Sequence, residues 1–212
     1  MLPHFYSVNE YLKGTYGVKM YKLALSGGMN CPNRDGLIDT RGCIFCSAGG
    51  SGDFACTNVD DAKKLISNKY TGNNFIAYFQ SYTNTYAPTG RLRSLYTEAL
   101  EEPDVVGISI ATRPDCLGDD VIALLSSLKD SYPDKFIWVE LGLQTMHEET
   151  ARFIRRGYPL RTFEEALNRL HAIAVPVIVQ VIRGLPHESK EMMQETCSYL
   201  NASQIDGIKL QL

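Results

Sequence analysis

Along most of the chain, short apolar runs alternate with amphipathic ones. Residues 18–26, 75–80, 105–111, 136–141, 175–182 and 205–212 are rich in Val and Ile and mostly lack polar alternation. That pattern predicts strands buried on both faces. Between them, residues 60–70, 92–101, 119–129, 148–156, 163–174 and 190–200 carry apolar positions at helical spacing. Near the start, Ser7 and Glu10 fit a capping box, which predicts a short helix from about Val8. Strand alternating with helix predicts parallel βαβ units with right-handed crossovers. A complete eight-stranded barrel takes about 250 residues. Six strands in 212 residues therefore predict an α/β fold, a partial (β/α)6 TIM-like barrel, as one domain over residues 1–212. The last strand leaves an apolar edge at Ile208 to Leu212, and exposed edges are a liability. The expectation is a C-terminal extension that covers it.

One stretch breaks the pattern. Residues 27–58 have no periodicity, are rich in Gly, Asn, Asp, Pro and Ser, and hold four of the six cysteines. A loop of that length inside a compact domain calls for a functional reason. No apolar run is long enough to cross a bilayer, and the first ten residues lack the pattern of a secretion signal. The expected compartment is the cytoplasm, without membrane attachment. In a reducing compartment, grouped cysteines point to metal or chemistry rather than disulfides. The net charge of −3 gives no overall attraction to nucleic acid, and a local basic patch would have to supply it.

The loop's cysteines follow the spacing C-x11-C-x2-C at Cys31, Cys43 and Cys46. The close pair brings two thiolates to one metal or cluster, and Pro32, Gly36 and Gly42 supply turns for Cys31 to fold back. Thiolates suit zinc and iron–sulfur centres. On spacing alone two readings stand level. Three cysteines would leave one iron of a 4Fe–4S cluster open, as a chelating cosubstrate needs. A fourth ligand, Cys56, would instead close a structural zinc or electron-transfer site.

Several segments break this tie. Cys31-Pro-Asn-Arg-Asp-Gly36 with Gly42-Cys-Ile-Phe-Cys46 resembles the radical S-adenosylmethionine (SAM) enzymes of the elongator-like branch, and within them the bacterial YhcC/YtqA type. The resemblance continues through Tyr78–Tyr86, Gly107–Leu117, Val139–Thr145, Ile154–Gly157 and Gly184–Pro186, in the family's order. It implies a 4Fe–4S cluster on Cys31, Cys43 and Cys46, with SAM chelating the open iron. It also implies the reaction: one electron from the cluster cleaves SAM to methionine and a 5′-deoxyadenosyl radical, which takes hydrogen from a substrate. Elongator-like relatives modify carbon 5 of the wobble uridine, so tRNA modification is the implied role. A small metabolite or a protein is the alternative substrate. The electron donor implied is a reductase, flavodoxin or ferredoxin. Two departures stand out: the usual C-terminal extension is missing, and Gln180 replaces the usual His. The resemblance does not reach the acetyltransferase half of the elongator protein, so acetyl-CoA chemistry is not implied.

The same resemblance assigns SAM contacts at the strand ends. Phe45 would lie near the adenine, and Gln80, Ser81, Tyr82 and Thr83 near the amino group. Gln144 would contact SAM, Arg156 would pair with its carboxylate, and Gln180 would face the ribose. Against these stand plain packing for Phe45, an ordinary polar loop for residues 80–83, and a solvated helix end for Arg156. Arg113 and Asp115 serve equally as ligand contacts or as a local ion pair. Glu140 points either into the barrel or toward the helices. Arg152, Arg155, Arg156 and Arg161, with Lys63, Lys64, Lys69, Arg91 and Arg93 elsewhere, are candidate phosphate contacts or a solvated face. Cys116 and Cys197 read as buried small residues. His4, His147, His171 and His187 have no metal-ligand spacing.

Overall fold

The computed structural model describes residues 5–70 and 72–212, with only the backbone of Lys69. His4 and the Lys69 side chain lie outside the described residues. The strands are β1 (Tyr21–Leu25), β2 (Phe75–Phe79), β3 (Val105–Thr112), β4 (Phe136–Gln144), β5 (Val177–Ile182) and β6 (Gly207–Gln211). All pair in parallel, in sequence order. The helices are α1 (Val8–Tyr16), α2 (Val59–Ile66), α3 (Thr89–Glu101), α4 (Asp119–Ser131), α5 (Glu148–Phe153), α6 (Leu160–Ala172) and α7 (Lys190–Ala202). Six parallel strands thus form a half-barrel.

The predicted capping box is present. The Ser7 hydroxyl accepts from the Glu10 N–H, and the Glu10 carboxylate takes the Ser7 N–H. The run at 60–70 ends its α-helix at Ile66 and tightens into a 3-10 turn, Ser67–Lys69. Residues 154–156 leave the helix after α5, and Arg155 and Gly157 take positive φ, which turns the chain back over the barrel.

The two sheet faces divide by register. Leu23, Phe79, Ile110, Val139, Leu141 and Val179 belong to the main core, with Tyr96 of α3, Leu125 of α4 and Phe163 of α6. A smaller cluster joins Leu12 of α1 to Ile76 and Trp138. The alternate positions of the middle strands, Tyr78, Ser109, Glu140 and Gln180, turn to the inner face and meet there. Burial on both faces holds for β2 through β4 and fails at β6, where Ile208 and Leu210 are 44% and 57% exposed.

Candidate active site

The long loop crosses the carboxyl ends of the strands. Cys31, Cys43, Phe45 and Cys46 from the loop line one cavity with Gln80, Tyr82, Thr83, Gln144, Arg156 and Gln180 from the strand ends. Nine of the ten candidate residues converge there with Gln80; the tenth, Ser81, is buried behind the wall. A Cβ on Gly52 would stand 1.8 Å from the Ser81 hydroxyl, so the missing side chain lets the loop lie against residues 81–82. Gly50 does the same for Tyr82. Its φ is +65°, and a Cβ would meet the Tyr82 ring at 2.5 Å.

Hydrogen bonds fix the loop to the barrel. Arg34 donates to the carbonyls of Cys46 (3.1 Å) and Ser47 (2.7 Å). Tyr82 donates from its hydroxyl to the Ala48 carbonyl at 2.8 Å. The Ile44 N–H reaches the Ile154 carbonyl, which ties the cysteine pair to the end of α5. Asn33 is the central clamp. Its buried amide nitrogen donates to Cys43 Sγ at 3.2 Å and to the carbonyls of Arg155 and Arg156 at 2.7 and 3.2 Å. The Asn33 and Arg34 roles were missed in the sequence, although both lie inside the quoted motif.

The three thiols share the cavity wall. Burial is the main force raising the Cys43 pKa; the Asn33 bond and the Arg113 charge oppose it, and Cys31 and Cys46 add to the rise. Binding a metal centre here means displacing that proton. Cys56 lies elsewhere: its backbone bridges to β1 beside Leu25, and its side chain packs against the main core. Cys116 is half-buried and Cys197 exposed, so the expectation that both are buried fails. Their polar loop and helix-surface positions explain it.

Arg156 is no solvated helix end. It is 1% exposed, and its guanidinium donates to the carbonyls of Tyr158 (3.0 Å), Leu143 (3.0 Å) and Thr145 (2.6 Å). Nη2 has no hydrogen-bond acceptor among the described residues, with Glu148 at 3.6 Å as its nearest carboxylate. Arg113 and Asp115 form the local ion pair, through two hydrogen bonds of 2.9 and 2.7 Å. The remaining Arg113 arm donates to the Arg156 carbonyl. Gln144 sits at φ +63°, at a register shift between β4 and β5, and receives the Tyr158 hydroxyl at 3.4 Å. That irregularity turns the side chain at the strand end into the cavity.

Glu140 points into the barrel, fully buried below the cavity. Lys22 and Lys209 pair with it from the two edge strands, while Ser109 Oγ (2.9 Å) and Gln180 Nε2 (3.2 Å) donate to it. Burial alone would raise its pKa; the two lysines outweigh that and hold it at about 2. A carboxyl lowered this far stabilises the fold above its unfolded pKa of about 4.3, and the contribution fades as pH falls toward 2. It is worth roughly 3 kcal/mol at neutral pH. Urea midpoints should therefore fall as the pH is lowered through that window, and Glu140→Gln should flatten this part of the profile. An unchanged slope in the variant would remove Glu140 as its source.

Fold and site together define a class. The chain belongs to the Radical SAM superfamily, whose profile matches residues 40–200. It is similar to YtqA of Bacillus subtilis, 44% identical over 215 residues, covering 98% of this chain and 66% of that protein. Protein YhcC of Escherichia coli K12 is 37% identical over 198 residues, covering 92% of this chain and 63% of that protein. The chain thus spans about two thirds of the length of these relatives. Two solved structures share the fold. Elp3 of Methanocaldococcus infernus has a TM-score of 0.61 at 17% identity, over 91% of this chain and 45% of that one. Coproporphyrinogen III oxidase (HemN) of E. coli, a radical SAM enzyme, has 0.60 at 16%, over 97% and 47%. Among the described residues no helix is long and apolar enough to cross a membrane.

Proposed function

We propose that this chain binds a 4Fe–4S cluster through Cys31, Cys43 and Cys46, and SAM beside it, and that it carries out radical chemistry on a substrate. The observation that carries the reading is the meeting of three thiols with seven polar and aromatic candidates around one cavity, with Cys56 packed against the core instead. The residues fit the groups. Three soft thiolates suit iron and leave one iron open for a chelating ligand. Among the described residues the buried Arg156 Nη2 and the Thr83 hydroxyl have no hydrogen-bond partner, and both residues line the cavity, where a carboxylate and an amino acid's polar groups would satisfy them.

When bound, the cluster supplies one electron and SAM the 5′-deoxyadenosyl radical that removes a substrate hydrogen. The chain's own work is binding and orientation. Asn33 and Arg34 hold the cysteine loop in place. Arg156 and Gln144 would hold the SAM amino-acid end, Gln180 would meet the ribose, and Phe45 would lie near the adenine. The loop covers the strand ends and limits water.

For the substrate, the elongator-like resemblance favours a tRNA nucleoside, and the solved Elp3 shares the fold. Exposed Arg152 and half-buried Arg155, next to the cysteine loop, are the candidate phosphate contacts. The test is release of 5′-deoxyadenosine from SAM by reduced, reconstituted protein, with and without tRNA. Stimulation by tRNA supports the nucleoside reading; release that tRNA leaves unchanged favours a small metabolite.

A further inference from the structure

A second cavity opens on the inner face of the half-barrel, between α1 and β6. Its volume is about 480 Å³, within the range of small-molecule sites. Tyr11, Trp138 and Ile178 line it, together with Lys22, Lys209 and Glu140. Lys209 also lines the cysteine cavity, and so does Gln180, which donates to Glu140. The two cavities therefore meet at the Glu140 cluster.

The wall's hydrogen-bonding capacity is lopsided. Glu140 accepts four bonds. Oε1 takes Lys22 and Ser109, and Oε2 takes Lys209 and Gln180. A carboxylate has about four such sites, so it offers no further acceptor. The lysines keep further donors, although both ammonium groups also lie over the Tyr78 ring, Lys22 at 4.3 Å and Lys209 at 4.7 Å. Each ammonium has three N–H donors. Among the described residues Lys22 gives one to Glu140, and Lys209 gives one to Glu140 and one to Tyr78. Both side chains are about one-third exposed. The other carboxylate in the wall, Asp206, accepts the Val177 N–H at 2.8 Å. The Glu140 end therefore presents spare donors flanked by aromatic rings.

We propose that this side cavity binds a planar ring whose edge carries oxygen acceptors, carbonyl or carboxylate. Tyr11, 39% exposed, gives such a ring a face, with the largely buried Trp138 in the wall beside it, and Lys22 and Lys209 bond its edge oxygens. The Glu140 cluster at the junction places that edge next to the cysteine cavity. The ligand's role as substrate rests on the radical SAM reading; its binding does not.

Trp138 is the only tryptophan in the chain, so its single indole N–H resonance reports on the cavity wall. The test titrates reconstituted protein, with the cluster oxidised, using three probes. Orotate is planar with edge oxygens, dihydroorotate has the same oxygens on a puckered ring, and benzamidine is planar with donors only. Orotate should shift the resonance saturably, with a dissociation constant on the order of a few millimolar, as its small size gives. Dihydroorotate should bind at least several-fold more weakly, and benzamidine should give no saturable shift. Lys22→Met, with its fold checked by circular dichroism, should weaken orotate several-fold, and Tyr11→Ala should weaken it as well. A lack of saturable response to orotate overturns the proposal. So does equal binding of dihydroorotate or benzamidine, or undiminished orotate binding in folded Lys22→Met. Uncoupled 5′-deoxyadenosine release by the same wild-type preparation reads the radical SAM assignment separately, so the two failures are distinguishable.

Discussion

Replacing Cys31, Cys43 or Cys46 by Ala is expected to abolish the iron–sulfur chromophore after anaerobic reconstitution, while Cys56→Ala keeps it. The difference follows from placement. The three thiols line one cavity, whereas Cys56 packs against β1 and the main core. Removing one of three ligands leaves two thiolates for four irons, too few to hold the cluster. Cys56→Ala deletes only a half-buried sulfur and should cost about 1 kcal/mol of stability. Iron and sulfide analysis with the visible spectrum reads the outcome. Loss of the cluster in a folded Cys56→Ala protein would establish a four-cysteine site and remove the open iron from the account.

Arg156→Ala should produce two separable losses. The first is in stability. Three carbonyls, those of Leu143, Thr145 and Tyr158, lose the Arg156 donor, although the Leu143 carbonyl keeps the Thr145 N–H at 2.8 Å. Each unmet buried group costs about 1–3 kcal/mol, less where water or relaxation compensates. A total of about 3 kcal/mol is expected, seen as a lower urea midpoint. The second is in SAM affinity. A charge-assisted pair with the SAM carboxylate is worth about 1.5–3 kcal/mol, or tenfold and more in binding. Arg156→Lys keeps a charge but lacks the fork that spans three carbonyls, so it should recover only part of either loss. Calorimetric titration of SAM into the folded, cluster-loaded variants separates the two. Unchanged affinity at lowered stability would make Arg156 a brace for the end of β4 and nothing more.

The strand and helix order was legible because each middle strand is a mostly apolar run without regular polar alternation and each helix repeats every three to four residues. The ends were less so. β4 continues to Gln144 beyond the apolar run because its last residues bend through a register shift. For Arg156 a solvated helix end stood as the alternative to the carboxylate contact, because local sequence does not show that the chain turns back at Gly157. Its φ is +85°, and a Cβ there would stand 2.6 Å from Asn33 Oδ1. The Lys22–Glu140–Lys209 cluster was hidden for a different reason. Glu140 lies 118 and 69 positions from its partners, and only closure of the half-barrel brings the edge strands together. The cysteine loop was the reverse case. With no periodicity its path was unreadable, yet its spacing and motif singled out three thiols that the structure brings to one cavity.

The most direct measurement of the central claim is anaerobic reconstitution of the chain, reduction, and quantification of 5′-deoxyadenosine formed from SAM. The account predicts product from the wild-type protein and none from the Cys31, Cys43 and Cys46 variants. A cluster-loaded wild-type protein that leaves SAM intact, or product undiminished when those cysteines are gone, would contradict it.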